Sequence, residues 1–424
     1  MSERSQDDVQ PTPPVQPVQA VRGVKDVLPD EAPNWQFLEK TCREWFARYG
    51  FDEIRVPIFE ATGLFARSIG EDTDIVGKEM YTFDDKSGQS LSLRPEGTAG
   101  VIRAYIQSGL QREALVRLYY QGPMFRHERP QAGRLRQFHQ IGAEVLGSES
   151  PLADAEVLVL TADLFQALGL DGLQLEINSI GCRECRPRYT VALRGFLEGR
   201  AADLCENCVR RTATNPLRVL DCKVETCRTH TAAAPFIPDH LCAACADHFA
   251  VVRGQLEAAG VGFVVNPRMV RGLDYYTRTA FEWTSDRLGA QSTVAAGGRY
   301  DRLVEQLGGQ ARPGIGFALG VERLLLLMET RPATPPDLFV VLAGEGAEAA
   351  LAPVLRAVRG AGLKVDRAYG GSMKSQMKRA GKSGAPRCLI AGDDELARGT
   401  AVLRDMVAHS QREVPLAEVV AALK

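Results

Sequence analysis

The chain has 424 residues, 45% of them apolar and 25% charged, a balance that excludes a largely disordered or fibrous protein. No apolar run reaches the roughly 18–20 residues needed to span a bilayer, so no membrane partner is expected. The formal charge of −2 leaves any nucleic-acid site to a local patch.

Residues 1–20 are polar and Pro-rich and offer nothing to bury, so they read as a disordered, solvated tail. They hold no apolar export segment, and a cytoplasmic location is expected. Trp35, Leu38, Cys42, Trp45, Phe46 and Tyr49 recur at helical spacing, which predicts a helix over about 31–49 that Gly50 can end. The run 54-IRVPIFE-60 predicts a short edge or interface strand, because Pro57 cannot donate a ladder hydrogen bond. From 81 to 146 β-type runs alternate with loops, and their short connections favour antiparallel pairing. A helix at 153–168 follows. Eight of the ten cysteines then fall between 182 and 245. Strand-like segments resume over 262–283 and 293–299. A helix near 300–307 comes next, and a Gly-rich turn opens an apolar helix over 314–329. The cysteine block therefore reads as an insertion into one β-rich domain. After the Pro-rich linker 331–336, strands at 338–343, 363–368 and 387–391 alternate with helices at 347–360, 372–382 and 415–423. That order predicts a mainly parallel α/β sheet.

Five clusters carry chemistry. In 92-SLRPEGT-98, Glu96 is either a solvated loop carboxylate or one that holds a cationic amine. In 122–144, arginines at 126, 129, 134 and 136 lie on and after a β run. Guanidinium forks suit planar anions and phosphate oxygens. Arg126 follows an apolar strand and should point into a cleft, whereas the loop arginines also fit a hairpin lying in water. Gln140 and Glu144 are four apart on a strand and share a face, so a polar cavity is expected there. Arg271, Tyr275 and Tyr276 mark a third cluster, and 296-AGGRYDRL-303 a fourth. In 314-GIGFALGVERLLL-326, Glu322 and Arg323 interrupt an apolar run. The nearby glycines leave room for a flat group to stack on the Arg323 guanidinium.

These motifs together closely resemble the histidyl-tRNA synthetases, which are class II aminoacyl-tRNA synthetases. The resemblance runs from about 21 to 424. Motif 1 resembles the first helix plus 54–60, motif 2 resembles 125–144, and motif 3 resembles 314–324. The two histidine-specific signatures resemble 270-VRGLDYYTRT-279 and 296-AGGRYD-301, though Ala296 stands where the family tends to have glycine. The implied fold is α/β multidomain: an antiparallel-sheet catalytic domain in two parts (21–181 and 261–330), split by a Cys-rich insertion (182–260). A C-terminal α/β anticodon-binding domain (337–424) follows.

The resemblance also implies roles. Glu96, Gly97, Thr98 and Gln140 would surround the α-amino end of L-histidine, with Glu144, Tyr275 and Tyr276 at its imidazole. Arg126 and Arg271 would be the catalytic arginines, touching the substrate carboxylate and the ATP α-phosphate. Arg134 would contact the outer phosphates and Arg323 would pack on adenine. ATP with Mg²⁺, tRNA(His) and a homodimer built on motif 1 are implied as well, with the insertion clamping the tRNA acceptor arm. The alternative is a catalytically inactive paralogue that regulates histidine biosynthesis. Such paralogues lose the catalytic arginines and the C-terminal domain, and this chain has both.

Two features rest on the residues alone. Between Lys374 and Arg387 lie five basic residues and no acidic ones, which is either a phosphate-contacting patch or a solvated helix face. The pairs Cys182/Cys185, Cys205/Cys208 and Cys242/Cys245, with Cys222 and Cys227 between, allow a structural zinc without requiring one. By spacing, the favoured quartet is Cys205, Cys208, Cys242 and Cys245, and buried free thiols are the alternative.

Overall fold

Alternation along the strands builds a large sheet with two unlike faces. The structure is a computed structural model that describes residues 17–70, 73, 75–270, 275–344 and 346–424. The chain divides into two units, Met1–Thr330 and Arg331–Lys424. In the first, eight strands lie in the order Asp52–Glu53, Val116–Phe125, Gln137–Leu146, Gly314–Gly320, Thr293–Tyr300, Thr277–Thr284, Gln174–Ser179 and Val264–Val265. The six long strands pair antiparallel, and the two-residue edge strands pair parallel.

On one face Tyr119, Ile141, Ala143, Val145, Phe281, Ile315, Phe317 and Leu319 form a continuous core. The helices Ala32–Arg48, Pro151–Ala167 and Ala243–Ala258 cover it with Leu38, Phe46, Leu158, Leu164, Phe249 and Val252. On the other face the same strands present Leu118, Tyr120, Met124, Ala280 and Tyr300, packed with Val101, Ile102 and Tyr105 of the helix Thr98–Gln107. Between these apolar residues the second face carries polar groups, and the cavity described below opens there.

Three local readings are corrected. The segment 54–60 is not one strand. Asp52–Glu53 pairs with Leu118–Tyr119, and Phe59–Ala61 joins a separate three-stranded sheet. Pro57 breaks the ladder between them, and the buried Arg94 spans the break by donating to the carbonyls of Val56 and Pro123. The apolar helix expected over 314–329 is a strand, Gly314–Gly320, followed by a helix, Val321–Leu327. Glycine at 314, 316 and 320 disfavours helix, and Ile315, Phe317 and Leu319 alternate with period two. The C-terminal sheet is mixed. Its order is Val365–Arg367, Leu338–Leu342, Arg387–Ala391, Thr400–Asp405, Gln411–Pro415, with the first three strands parallel and the last two antiparallel. The sequence reading lacked those last two strands, because charged residues at 404, 405, 412 and 413 mask their alternation.

The cysteine-rich segment folds as short helices, Cys185–Glu198, Glu206–Thr214 and Glu225–His230, around a small core of Tyr189, Leu193, Val219, Leu220 and Ile237. The next helix, Ala243–Ala258, returns the chain to the large sheet, and its Phe249, Val252 and Leu256 belong to the sheet's own core.

Candidate active site

Bare backbone makes room for the polar face of the sheet. Gly316 lies opposite Glu144 across the ladder. A Cβ at Gly316 would run into the Glu144 carboxylate and sit 2.6 Å from the Ala143 carbonyl. A Cβ at Gly142 would strike the Tyr120 hydroxyl and the Phe317 carbonyl oxygen. Glycine at these two positions lets a carboxylate and a phenol lie flat against the strands.

Glu144 is 1% exposed. Its Oε1 accepts a hydrogen bond from the Thr98 hydroxyl at 2.7 Å, and its Oε2 accepts one from the Tyr300 hydroxyl. Burial pushes its carboxyl up to about 8 despite these donors. Glu96 is not a solvated loop carboxylate. It is buried, and its two oxygens accept from the backbone N–H groups of Thr98 (2.6 Å) and Ala99 (2.9 Å). It thereby occupies the N-terminus of the helix Thr98–Gln107, whose N-cap is Gly97. Burial also raises the Glu96 carboxyl, and the N–H donors and Arg126 oppose that shift.

Gln140 Oε1 is buried without a hydrogen-bond partner among the described residues, and the buried Tyr120 hydroxyl neighbours Thr98. Both line the same cavity of about 480 Å³ as Glu96, Thr98, Glu144, Tyr275, Tyr276 and Tyr300. Tyr275 packs on Tyr276 with ring centroids 4.7 Å apart and meets Tyr300 edge-on at 5.7 Å.

Three arginines line this cavity as well. Arg126 Nε donates to the Pro95 carbonyl at 2.9 Å, and its guanidinium lies 5.2 Å from the Phe138 ring centre. Arg134 is ion-paired with Glu128 and lies 3.9 Å from Glu79. Arg323 donates to the carbonyls of Gly133 and Thr293, which ties its helix to the loop carrying Arg134. Burial lowers the pKa of Arg126 and of Arg323; Glu79 and Glu96 oppose the shift at Arg126, while Arg134 adds to it at both, and Arg126 adds to it at Arg323. Such a cluster of cations is relieved by a polyanion. Glu322 serves another purpose: it accepts from the His139 backbone N–H at 2.9 Å and pairs with the same residue's ring. The structure thus brings Glu96, Thr98, Arg126, Arg134, Gln140, Glu144, Tyr275, Tyr276 and Arg323 to one cavity. Arg271 lies outside the described residues.

Sequence reasoning missed Tyr120 and Tyr300. Tyr300 sat inside the signature 296–301, and period-two counting from Gly298 would have placed it on the cavity side. It also missed a buried network behind the site. Arg299 and Asp154, both 0% exposed, are ion-paired. Asp154 also accepts from Thr279 and bonds His248 Nε2 at 2.8 Å.

The cysteine quartet is corrected too. The eight sulfurs form two groups, Cys182/Cys185/Cys242/Cys245 and Cys205/Cys208/Cys222/Cys227. The segment leaves the sheet after Gln174–Ser179 and returns through Val264–Val265, which are neighbouring strands. Its two ends must therefore meet, and that brings Cys182 to Cys242 rather than to Cys205.

An antiparallel sheet with helices on one face and a carboxylate-and-arginine cavity on the other is the catalytic fold of a class II aminoacyl-tRNA synthetase. The family model for histidyl-tRNA synthetase matches residues 23–324, and that for the anticodon-binding domain matches 337–424. The chain is 56% identical over 397 residues to a histidine–tRNA ligase of Trichlorobacter lovleyi, covering 93% of this chain and 95% of that one. It is 52% identical over 405 residues to that of Syntrophotalea carbinolica, covering 95% and 97%. The crystal structure of apo S. aureus histidyl-tRNA synthetase superposes with a TM-score of 0.81 at 37% identity, covering 96% of this chain and 99% of that one. The chain belongs to the histidyl-tRNA synthetase family.

Proposed function

We propose that the chain is a histidine–tRNA ligase that first condenses L-histidine with ATP and then esterifies tRNA(His). The observation that carries the assignment of the amino-acid pocket is the unpartnered buried Gln140 Oε1 beside Glu96 and Glu144. Buried polar atoms require partners, and an α-ammonium supplies donors to the Gln140 oxygen and to the Glu96 carboxylate. Imidazole presents one N–H and one bare nitrogen. Glu144 accepts from the first, and the Tyr276 hydroxyl donates to the second. A site built to pair both nitrogens rejects amino acids that would leave it unpaired.

In the first step a histidine carboxylate oxygen attacks the ATP α-phosphorus and pyrophosphate departs. Arg126, set among Glu96, Tyr275 and Arg134, bridges the carboxylate and the α-phosphate, and Arg271 shares that task. Arg134 leaves Glu128 for the outer phosphates, and Arg323 stacks on adenine. Fixed cations offset the repulsion of two anions and the charge that develops between them. In the second step the terminal ribose hydroxyl of the tRNA attacks the acyl carbon and AMP departs. No side chain forms a covalent intermediate.

Mg²⁺ binds through one or two carboxylates plus substrate phosphates, and Glu282, which lines the cavity near Thr293 and Arg323, fits that need. When bound, the ion neutralises phosphate charge. The domain limits given above, a homodimer, cytoplasmic residence and clamping of the acceptor arm by the insertion all belong to the same reading. Among the described residues no helix is long and apolar enough to cross a membrane. The regulatory alternative is set aside, since Arg126 is in place and the anticodon-binding unit is present.

ATP–pyrophosphate exchange measured with each of the twenty amino acids tests the assignment. Exchange with histidine alone is expected, and no exchange with any amino acid overturns it.

A further inference from the structure

The two cysteine groups have the spacing of metal sites rather than of disulfides or packed thiols. In the first group Cys182–Cys185, Cys182–Cys242, Cys185–Cys242 and Cys185–Cys245 have Sγ···Sγ distances of 3.6, 3.8, 3.9 and 3.7 Å. A disulfide sets its sulfurs about 2.05 Å apart. A tetrahedron with Zn–S bonds of about 2.3 Å has edges of about 3.8 Å. The sulfurs of the second group likewise all lie within 4.8 Å of one another. Both sets are too tight to enclose an iron–sulfide cluster.

Backbone N–H groups aim at the sulfurs: Cys182 at Cys185 Sγ (3.1 Å), Glu184 at Cys182 Sγ (3.4 Å) and Cys205 at Cys227 Sγ (3.2 Å). Such donors favour thiolates, the form that binds metal. Three of the four pairs have Cys-x-x-Cys spacing and the fourth, Cys222/Cys227, has four residues between, all within zinc-knuckle limits. The segment that holds them has only a small core, and so small a body usually needs a staple.

We propose that the insertion holds two structural zinc ions, one in each four-cysteine group, and that the two serve different ends. The Cys205/Cys208/Cys222/Cys227 ion sits within the insertion's own core. The Cys182/Cys185/Cys242/Cys245 ion closes its neck, where the chain leaves and re-enters the catalytic sheet. The helix Cys185–Glu198, which starts at a neck ligand, carries Arg186, whose Nη2 donates to the Tyr276 carbonyl at 2.6 Å. The helix Ala243–Ala258, which starts at the other neck pair, carries His248 to Asp154. The neck ion therefore positions the Tyr276 wall of the pocket. This last step rests on the histidine-binding role of Tyr276, whereas the metal content does not.

The full-length chain, purified without chelator or added metal, should carry two zinc ions by elemental analysis and native mass spectrometry. The C205S/C227S variant should carry one zinc and keep wild-type histidine KM in pyrophosphate exchange. The C182S/C242S variant should also carry one zinc, with KM for histidine raised about tenfold and KM for ATP little changed. If that variant does not fold, the wild-type chain reconstituted with Co²⁺ replaces it, and thiolate-to-cobalt absorption should saturate at two equivalents. Less than half a zinc per chain with all ten thiols free, iron in place of zinc, or disulfides seen as mass loss would each overturn the sites. Two zinc ions in the wild-type chain with an unmoved histidine KM in C182S/C242S would overturn only the positioning role. Absence of exchange in the wild-type chain would overturn the pocket assignment and leave the metal count standing.

Discussion

The Thr98 hydroxyl donates to Glu144 Oε1 at 2.7 Å, and this bond ties the first turn of a helix to the strand that floors the cavity. Its backbone N–H meanwhile holds Glu96. One threonine thus orients both buried carboxylates of the cavity.

Glu144 makes stability depend on pH in a defined direction. Its carboxyl is raised from the ordinary 4.5 to about 8 by burial, so between those values the folded chain binds a proton that the unfolded chain has lost. This contribution is fully present below about 4.5 and is lost as pH rises through about 8. The Glu144→Gln variant lacks that loss. Its unfolding free energy from urea denaturation, compared with wild type at pH 5 and pH 8.5, should gain on wild type at the higher pH, by on the order of a few kcal/mol. Histidine-dependent exchange should fall about 100-fold or more above pH 8, where wild-type Glu144 is a carboxylate and the variant amide cannot match it as an acceptor. Parallel pH profiles for the two proteins would sink the claim.

Gln140 should show opposite effects on folding and on activity. Its orphaned oxygen is a cost to the free protein, which under the proposed function a bound histidine relieves. Gln140→Met removes the orphan at similar volume, and the variant should be more stable by about 1 kcal/mol. Its kcat/KM for histidine should drop roughly 10- to 100-fold while KM for ATP stays within a factor of two. Thermal melts and exchange kinetics on one preparation check both signs. A variant both less stable and fully active would contradict the pocket described above.

The sequence made the motifs readable but not the surfaces they share. Gln140 and Glu144 were legible because strand periodicity places i and i+4 on one face. Arg126 was legible because a guanidinium at the end of an apolar strand needs a reason to be there. Tyr120 and Tyr300 were not, since a tyrosine in an apolar run looks like core until a glycine across the ladder is seen to make room for it. The Gly314–Gly320 strand read as a helix because its leucine-rich continuation, Val321–Leu327, dominates the window. The cysteine partition depended on the edge strand Val264–Val265, which is too short to carry a signal. Its pairing beside Gln174–Ser179 decides which cysteines meet. Arg299 looked like one more arginine in a glycine-rich signature, and its partner Asp154 lies on a helix 145 residues away.

That pair offers a stability test. Burial alone would raise Asp154, but bonds to His248 and Arg299 outweigh it and hold the carboxyl below its ordinary range. Its contribution is present above the ordinary carboxylate pKa and lost as pH falls through the lowered value. Arg299→Met leaves a buried carboxylate without its fork and should cost about 3–5 kcal/mol. Asp154→Leu alone should cost a similar amount. The double variant should cost clearly less than the two together, because neither charge is then left uncompensated. Urea unfolding of the four proteins at neutral pH measures the coupling, and strict additivity would mean that the two residues act independently.

The C-terminal unit should separate tRNA recognition from amino-acid activation. Lys374, Lys378 and Lys382 fall at successive i+4 positions on the helix Met373–Ser383 and are exposed, whereas the buried Gln376 and Ala380 face the sheet. Arg387, the last of the basic run, is instead paired with Asp405 at 2.6 Å. Of the five basic residues, the helix lysines and Arg379 are therefore the candidates for binding phosphate. Charge reversal at Lys374, Lys378 and Lys382 should leave histidine-dependent pyrophosphate exchange within a factor of two. It should raise KM for tRNA in aminoacylation, and the slope of log affinity against log salt should fall by about 0.7–0.9 for each phosphate that is no longer neutralised. Reversing Arg387 should instead lower the melting temperature, since it leaves Asp405 facing a like charge. Equal loss of exchange and aminoacylation in the lysine variant would place its effect on folding and remove this face from the tRNA interface.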